Sequence, residues 1–226
     1  MFLGFLRFVI GLLLLPVCFA VGRSFFQVVM LSRALIVEAA AFIGGVVAFV
    51  ILWFVFPRPV RMYVLGHELT HALWGLLFFA WPSKLRVSKN GGSVSLTKSN
   101  FLITLSPYFF PFYSFVLAVI AVAVSFFYSP LPLMSLWLFA LGMSWAFHLL
   151  FTFDSLSRYQ SDIAEYGKLF SWTIIFIANA AMIIFALAAA GSVTYSEVLN
   201  SIAYCTTQTY VWVYSLLREV YNAICM

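Results

Sequence analysis

Tyr63-Val64-Leu65-Gly66-His67-Glu68-Leu69-Thr70-His71-Ala72-Leu73-Trp74-Gly75 decides how the rest of the chain is read. It lies inside the apolar run 61–81. A bilayer crossing needs about 20 such residues. In the middle of that run stand three ionisable groups, and each charged side chain at the bilayer centre costs about 2.5–3.5 kcal/mol. His67 and His71 are four apart, so a helix puts them on one face, within reach of one metal ion. Glu68 stands beside them, placed to take a proton from water. In a chain of 226 residues with three histidines, this pattern arises by chance roughly once in a thousand cases. The structural alternative is a polar cluster packed between helices.

The composition around this stretch excludes most protein classes. The chain is 65% hydrophobic, 19% aromatic and 8% charged, with a mean hydropathy of +1.07. Soluble domains are about 25% charged. A soluble enzyme, a disordered chain and a nucleic-acid binder are therefore excluded. Cys18, Cys205 and Cys225 lie far apart and form neither a disulfide framework nor a thiolate metal site.

The expectation is an all-α polytopic membrane protein, residues 1–226 forming one integral membrane domain. Six spans are expected, at 2–22, 34–56, 61–81, 100–127, 132–153 and 167–190. Pro57-Arg58-Pro59 and Ser129-Pro130-Leu131-Pro132 mark tight turns between helices, since proline ends a helix and restricts the residue before it. Residues 195–226 read as an interfacial helix rich in Tyr204, Tyr210, Trp212 and Tyr214, or as a seventh span over 198–217. Residues 8–20 also fit the apolar core of a signal peptide, though the start is poor in positive charge. With the N-terminus outside, eight lysines and arginines fall in cytoplasmic segments: Arg23, Arg33, Lys84, Arg86, Lys89, Lys98, Arg158 and Lys168. Four fall outside: Arg7, Arg58, Arg61 and Arg218. The positive-inside rule then puts the active face toward the cytoplasm.

One polar insert interrupts the spans. Leu85, Val87, Val94 and Leu96 alternate around Asn90-Gly91-Gly92, which predicts a β-hairpin over 84–97. Its edge could take up an extended peptide, making Gly91, Gly92, Ser93 and Val94 candidate substrate contacts. Asn100 at the hairpin exit is another. Farther on, Ser106-Pro107-Tyr108-Phe109-Phe110-Pro111 breaks the fourth span, either to open a water or substrate path or as a packing kink.

A hydrolytic zinc site needs a third protein ligand. The downstream candidates are Asp162, His148 and Asp154, with Asp162 leading because it lies just where the sixth span begins. Asp162 could instead cap that helix. His148 could instead orient a ligand or stabilise an oxyanion. Glu165 reads as an interfacial carboxylate.

The His67-Glu68-x-x-His71 motif within a span, followed by a short hairpin, resembles the site-2 protease family of intramembrane zinc metalloproteases. The resemblance covers residues 60–190. It implies a Zn2+ cofactor, Glu68 as the catalytic base and an aspartate as third ligand. It also implies substrates that are transmembrane segments of other membrane proteins, cut within or next to the bilayer. That family's aspartate is typically followed by glycine, and this chain has no Asp-Gly pair. No PDZ-like insert is seen. Two alternatives stand beside this expectation. One is a non-catalytic protein that binds zinc or partner helices. The other is a prenyl-protein type of membrane protease with Glu165 as third ligand.

Overall fold

The computed structural model of the chain describes residues 2–32, 36–89, 91–128, 133–189 and 192–225. The expected turn Ser129-Pro130-Leu131-Pro132, Asn90 in the hairpin turn and Arg33 lie outside these residues. The elements in chain order are α1 (Phe2–Leu31), α2 (Ile36–Val55), α3 (Val60–Leu77), β1 (Pro82–Ser88) and β2 (Gly91–Leu96). There follow α4 (Phe101–Leu105), a 3-10 turn (Ser106–Tyr108), α5 (Phe112–Ser125), α6 (Met134–Leu156), α7 (Ser161–Tyr166), α8 (Lys168–Ala189) and α9 (Tyr195–Cys225). The long apolar runs become helices because a helix satisfies its own backbone groups without water. Even Pro16, inside α1, does not interrupt it.

Among the described residues, α1, α2, α6 and α8 are long and apolar enough to cross a membrane. The stretch Phe101–Tyr108 with Phe112–Ser125 would make a fifth crossing if it is one span, and its two halves are bent by 83°. The expected third span is the 18-residue helix α3. It falls outside this group because Arg61, His67, Glu68 and His71 lower its hydropathy. The expected hairpin is present as an antiparallel pair, β1 with β2, in the register Arg86 opposite Ser93 and Val87 opposite Gly92.

The chain packs as two compact units, Ala34–Asp162 on the one hand and Met1–Arg33 with Ile163–Met226 on the other. In the first, α2 and α6 run in the same direction. Phe49 meets Phe147, Trp53 meets Phe151, and Arg58 beyond α2 pairs with Asp154 at 3.0 Å. Their backbones touch because Gly45 faces the Phe139 carbonyl and Gly142 faces the Phe42 carbonyl; a side chain at either would collide with backbone. α3 runs the opposite way, with Tyr63 stacked on Phe151 and bonded to Ser155 at 2.7 Å. α5 lies against α6 through Ser114 and Ser144, 2.8 Å apart.

In the second unit, α1 and α8 are also parallel. Arg7 bonds the Glu165 carbonyl at 2.6 Å near one end, and Val28 packs with Ile184 near the other. α9 runs antiparallel to α1, with Ser24 against Ser201 and Phe19 against Trp212. It opens with a capping box, in which Thr194 and Glu197 each satisfy the other's backbone N–H. The expected C-terminal segment is thus one 31-residue helix. Val198, Ser201, Cys205 and Thr209, spaced by three and four, form its buried stripe.

Candidate metal centre

Helix α3 carries His67 and His71 on one face, and Glu68 about 100° around the axis, as 3.6 residues per turn requires. The last residue of the same unit, Asp162 in the short helix α7, completes the group. His67 Nε2 and His71 Nε2 lie 3.2 Å apart. Asp162 Oδ2 lies 3.4 Å from His67 Nε2 and 3.6 Å from His71 Nε2. A tetrahedral ion with ligands at about 2.0–2.1 Å holds them about 3.3–3.4 Å apart. The three atoms therefore share a point about 2.0 Å from each, the distance of a zinc–nitrogen bond. Among the described residues this is the group of histidine and carboxylate side chains that could hold a metal ion.

Each ligand has a supporting contact. His71 Nδ1 donates to the Ile103 carbonyl at 2.9 Å, which leaves Nε2 bare as a ligand. His67 Nδ1 faces the Tyr63 hydroxyl at 3.4 Å, and Tyr63 is anchored by Ser155. The Tyr108 hydroxyl donates to Asp162 Oδ2 at 3.1 Å. Burial alone would push the Asp162 carboxyl up, but its hydrogen bonds with His67 and His71 outweigh burial and hold it well below the usual carboxylate range.

Glu68 is 7% exposed and turns toward the hairpin. The Val94 backbone N–H bonds its carboxylate. Gly92 lies so close that a Cβ there would stand 2.7 Å from Glu68 Cγ and 2.6 Å from Val64 Cγ1. Strand β2 therefore lies against the Glu68 side of α3.

The other expected residues are placed as follows. His148 is buried and lines a small cavity beside His67, about 20 Å³ and room for one water, with Thr70, Tyr113 and Ser144. It is not in the three-ligand group. Asp154 pairs with Arg58 at 3.0 Å and Arg158 at 2.8 Å. Asn100 accepts from the Ile103 N–H at 2.9 Å and so caps α4. Gly91, at φ +135°, sits at the turn with open space around it, and Ser93 pairs with Arg86. Glu165 is outside the ligand group, although its main-chain carbonyl holds Arg7.

Tyr63, Tyr108 and the Ile103 carbonyl were not legible as parts of a site. Tyr63 carries a signal in its spacing, four residues before His67 on the same helical face. Tyr108 carries one in its place between two prolines. Compared with protein families, curated proteins and solved structures, the chain matches none.

Proposed function

We propose that this chain is an intramembrane zinc metalloprotease that hydrolyses peptide bonds within or next to transmembrane segments of other membrane proteins. The observation that carries this reading is the convergence of His67 Nε2, His71 Nε2 and Asp162 Oδ2 on one point, with Glu68 next in sequence to the first ligand. Two imidazoles and a carboxylate suit zinc and leave one position open, the pattern of catalytic rather than structural sites. When bound, zinc would lower the pKa of water and polarise a carbonyl. Glu68 accepts a proton from the attacking water and returns it to the leaving nitrogen, so the base is regenerated. A helical substrate hides its amides in its own hydrogen bonds and must unwind first. The β2 edge offers backbone partners to the unwound strand.

A second reading, a related protein that binds zinc or partner helices without cutting, is favoured by one contact. The Val94 N–H already bonds the Glu68 carboxylate, and Gly92 packs against the Glu68 side chain. The two separate on one experiment. Protein reconstituted with a transmembrane reporter should cleave it, stop when a chelator strips the metal, and resume when zinc returns. Zinc bound without cleavage would favour the second reading.

The topology that fits this reading has the stretch 101–125 entering and leaving the bilayer on the same side. Two independent facts support it. In one unit α2 and α6 are parallel, so the segments between them make one net crossing, which α3 supplies. In the other unit α1 and α8 are parallel, as this path requires and six alternating spans do not allow. On this path, among the described residues, Arg23, Lys84, Arg86, Lys89 and Lys98 share one side, and Arg7, Arg58, Arg61, Arg158, Lys168 and Arg218 the other. The balance of loop charge no longer selects a cytoplasmic face.

A further inference from the structure

The break between α4 and α5 sits against the candidate metal centre rather than at a surface. In an uninterrupted helix the N–H of residue 107 would bond the carbonyl of Ile103, four residues back. Pro107 has no N–H, so that carbonyl is left without its helical partner. It accepts instead from His71 Nδ1 at 2.9 Å and from the Ser106 hydroxyl at 2.8 Å. One residue later the 3-10 turn aims Tyr108 inward. Its side chain is fully buried, its ring stands edge-on to His67 at 5.3 Å, and its hydroxyl donates to Asp162 Oδ2 at 3.1 Å. Pro111 then starts α5 in a new direction.

We propose that the Ile103–Tyr108 break is a ligand-orienting clamp, in which Pro107 frees the Ile103 carbonyl to hold His71 and Tyr108 holds Asp162. Tyr108 and Pro107 are positioning residues: neither belongs to the three-ligand group, and both act through ligands that do. The clamp accounts for the double-proline break without requiring a water path or a mere packing kink. Two of the three ligands, from α3 and α7, are thereby held by one short segment of a third element. The proposal rests on the metal reading above and names what fixes that site's geometry.

The test is zinc affinity, measured on the full-length protein in detergent by competition with a chromophoric chelator. Partners behind metal ligands are typically worth about 10–100-fold in affinity. Tyr108→Phe keeps the ring and removes only the hydroxyl, so it should fold and lose affinity in that range. Pro107→Ala returns an N–H that competes for the Ile103 carbonyl, and it should weaken zinc as well. The cobalt-substituted protein should show a shifted visible spectrum in both variants. A double-mutant cycle separates positioning from packing. With Asp162 already changed to alanine, Tyr108→Phe should cost nothing further. Unchanged affinity and spectrum in either single variant, or an equal Tyr108→Phe loss with and without Asp162, would overturn the clamp. Wild-type protein that holds no zinc would instead remove the metal reading on which the clamp rests.

Discussion

Glu68 differs from its two histidine neighbours in what it touches. His67 and His71 face Asp162, whereas Glu68 faces the hairpin and stays off the three-ligand group. Glu68→Gln should therefore keep the metal and lose cleavage of a transmembrane reporter by at least about 10²-fold, the usual worth of a positioned base. Undiminished cleavage would take Glu68 out of the reaction. Asp162 separates ligand from cap in the same way. Asparagine caps a helix about as well as aspartate. Asp162→Asn should nonetheless lose zinc affinity by more than about 100-fold, beyond the cost of removing a supporting partner. Near-normal zinc in that variant would take Asp162 out of the ligand set. The pairing of His67 with His71 could be read from the sequence because i,i+4 spacing on a helix is local geometry. Asp162 could only be a candidate there. Its approach to His67 depends on how α6 and α7 fold back across 95 residues of sequence.

The hairpin shows how an element can be legible while its role is not. Alternation around Asn90-Gly91-Gly92 predicts two strands and a turn, and the strands pair at Pro82–Ser88 and Gly91–Leu96. Nothing in that alternation says where the hairpin meets α3. Gly92 reveals it: with no side chain it lets β2 lie on Val64 and Glu68. Gly92→Val should push the strand off Glu68. Zinc content should stay unchanged while cleavage falls by about tenfold or more, since misplacement by about 1 Å can cost up to 10²-fold. Cleavage at the wild-type rate would show that the β2 edge has no part in the reaction. α3 illustrates the converse. Its polar residues made its chemistry readable and, by lowering its hydropathy, separate it from the helices that are apolar enough to cross a membrane.

Across the chain, sequence hydropathy located the apolar segments but not their directions. A window of apolar residues reads the same whichever way the helix runs. The parallel pairs α1 with α8 and α2 with α6 depend on close contacts such as Gly45 on Phe139 and Gly142 on Phe42. Single cysteines at Ser99, Phe127 and Ser157, in a background without Cys18, Cys205 and Cys225, distinguish the paths. If 101–125 returns to its own side, Ser99 and Phe127 label from one face and Ser157 from the other. If it crosses, Ser99 and Ser157 label together and Phe127 opposite, and the same-side path is refuted.

X-ray absorption at the zinc edge of the purified protein tests the metal assignment most directly. The expected result is about one zinc per chain, two imidazole nitrogens and one carboxylate oxygen at about 2.0–2.1 Å, and loss of the metal in His71→Ala. A metal-free wild-type protein, or zinc that survives His71→Ala with its ligand shell unchanged, would contradict the site built from His67, His71 and Asp162.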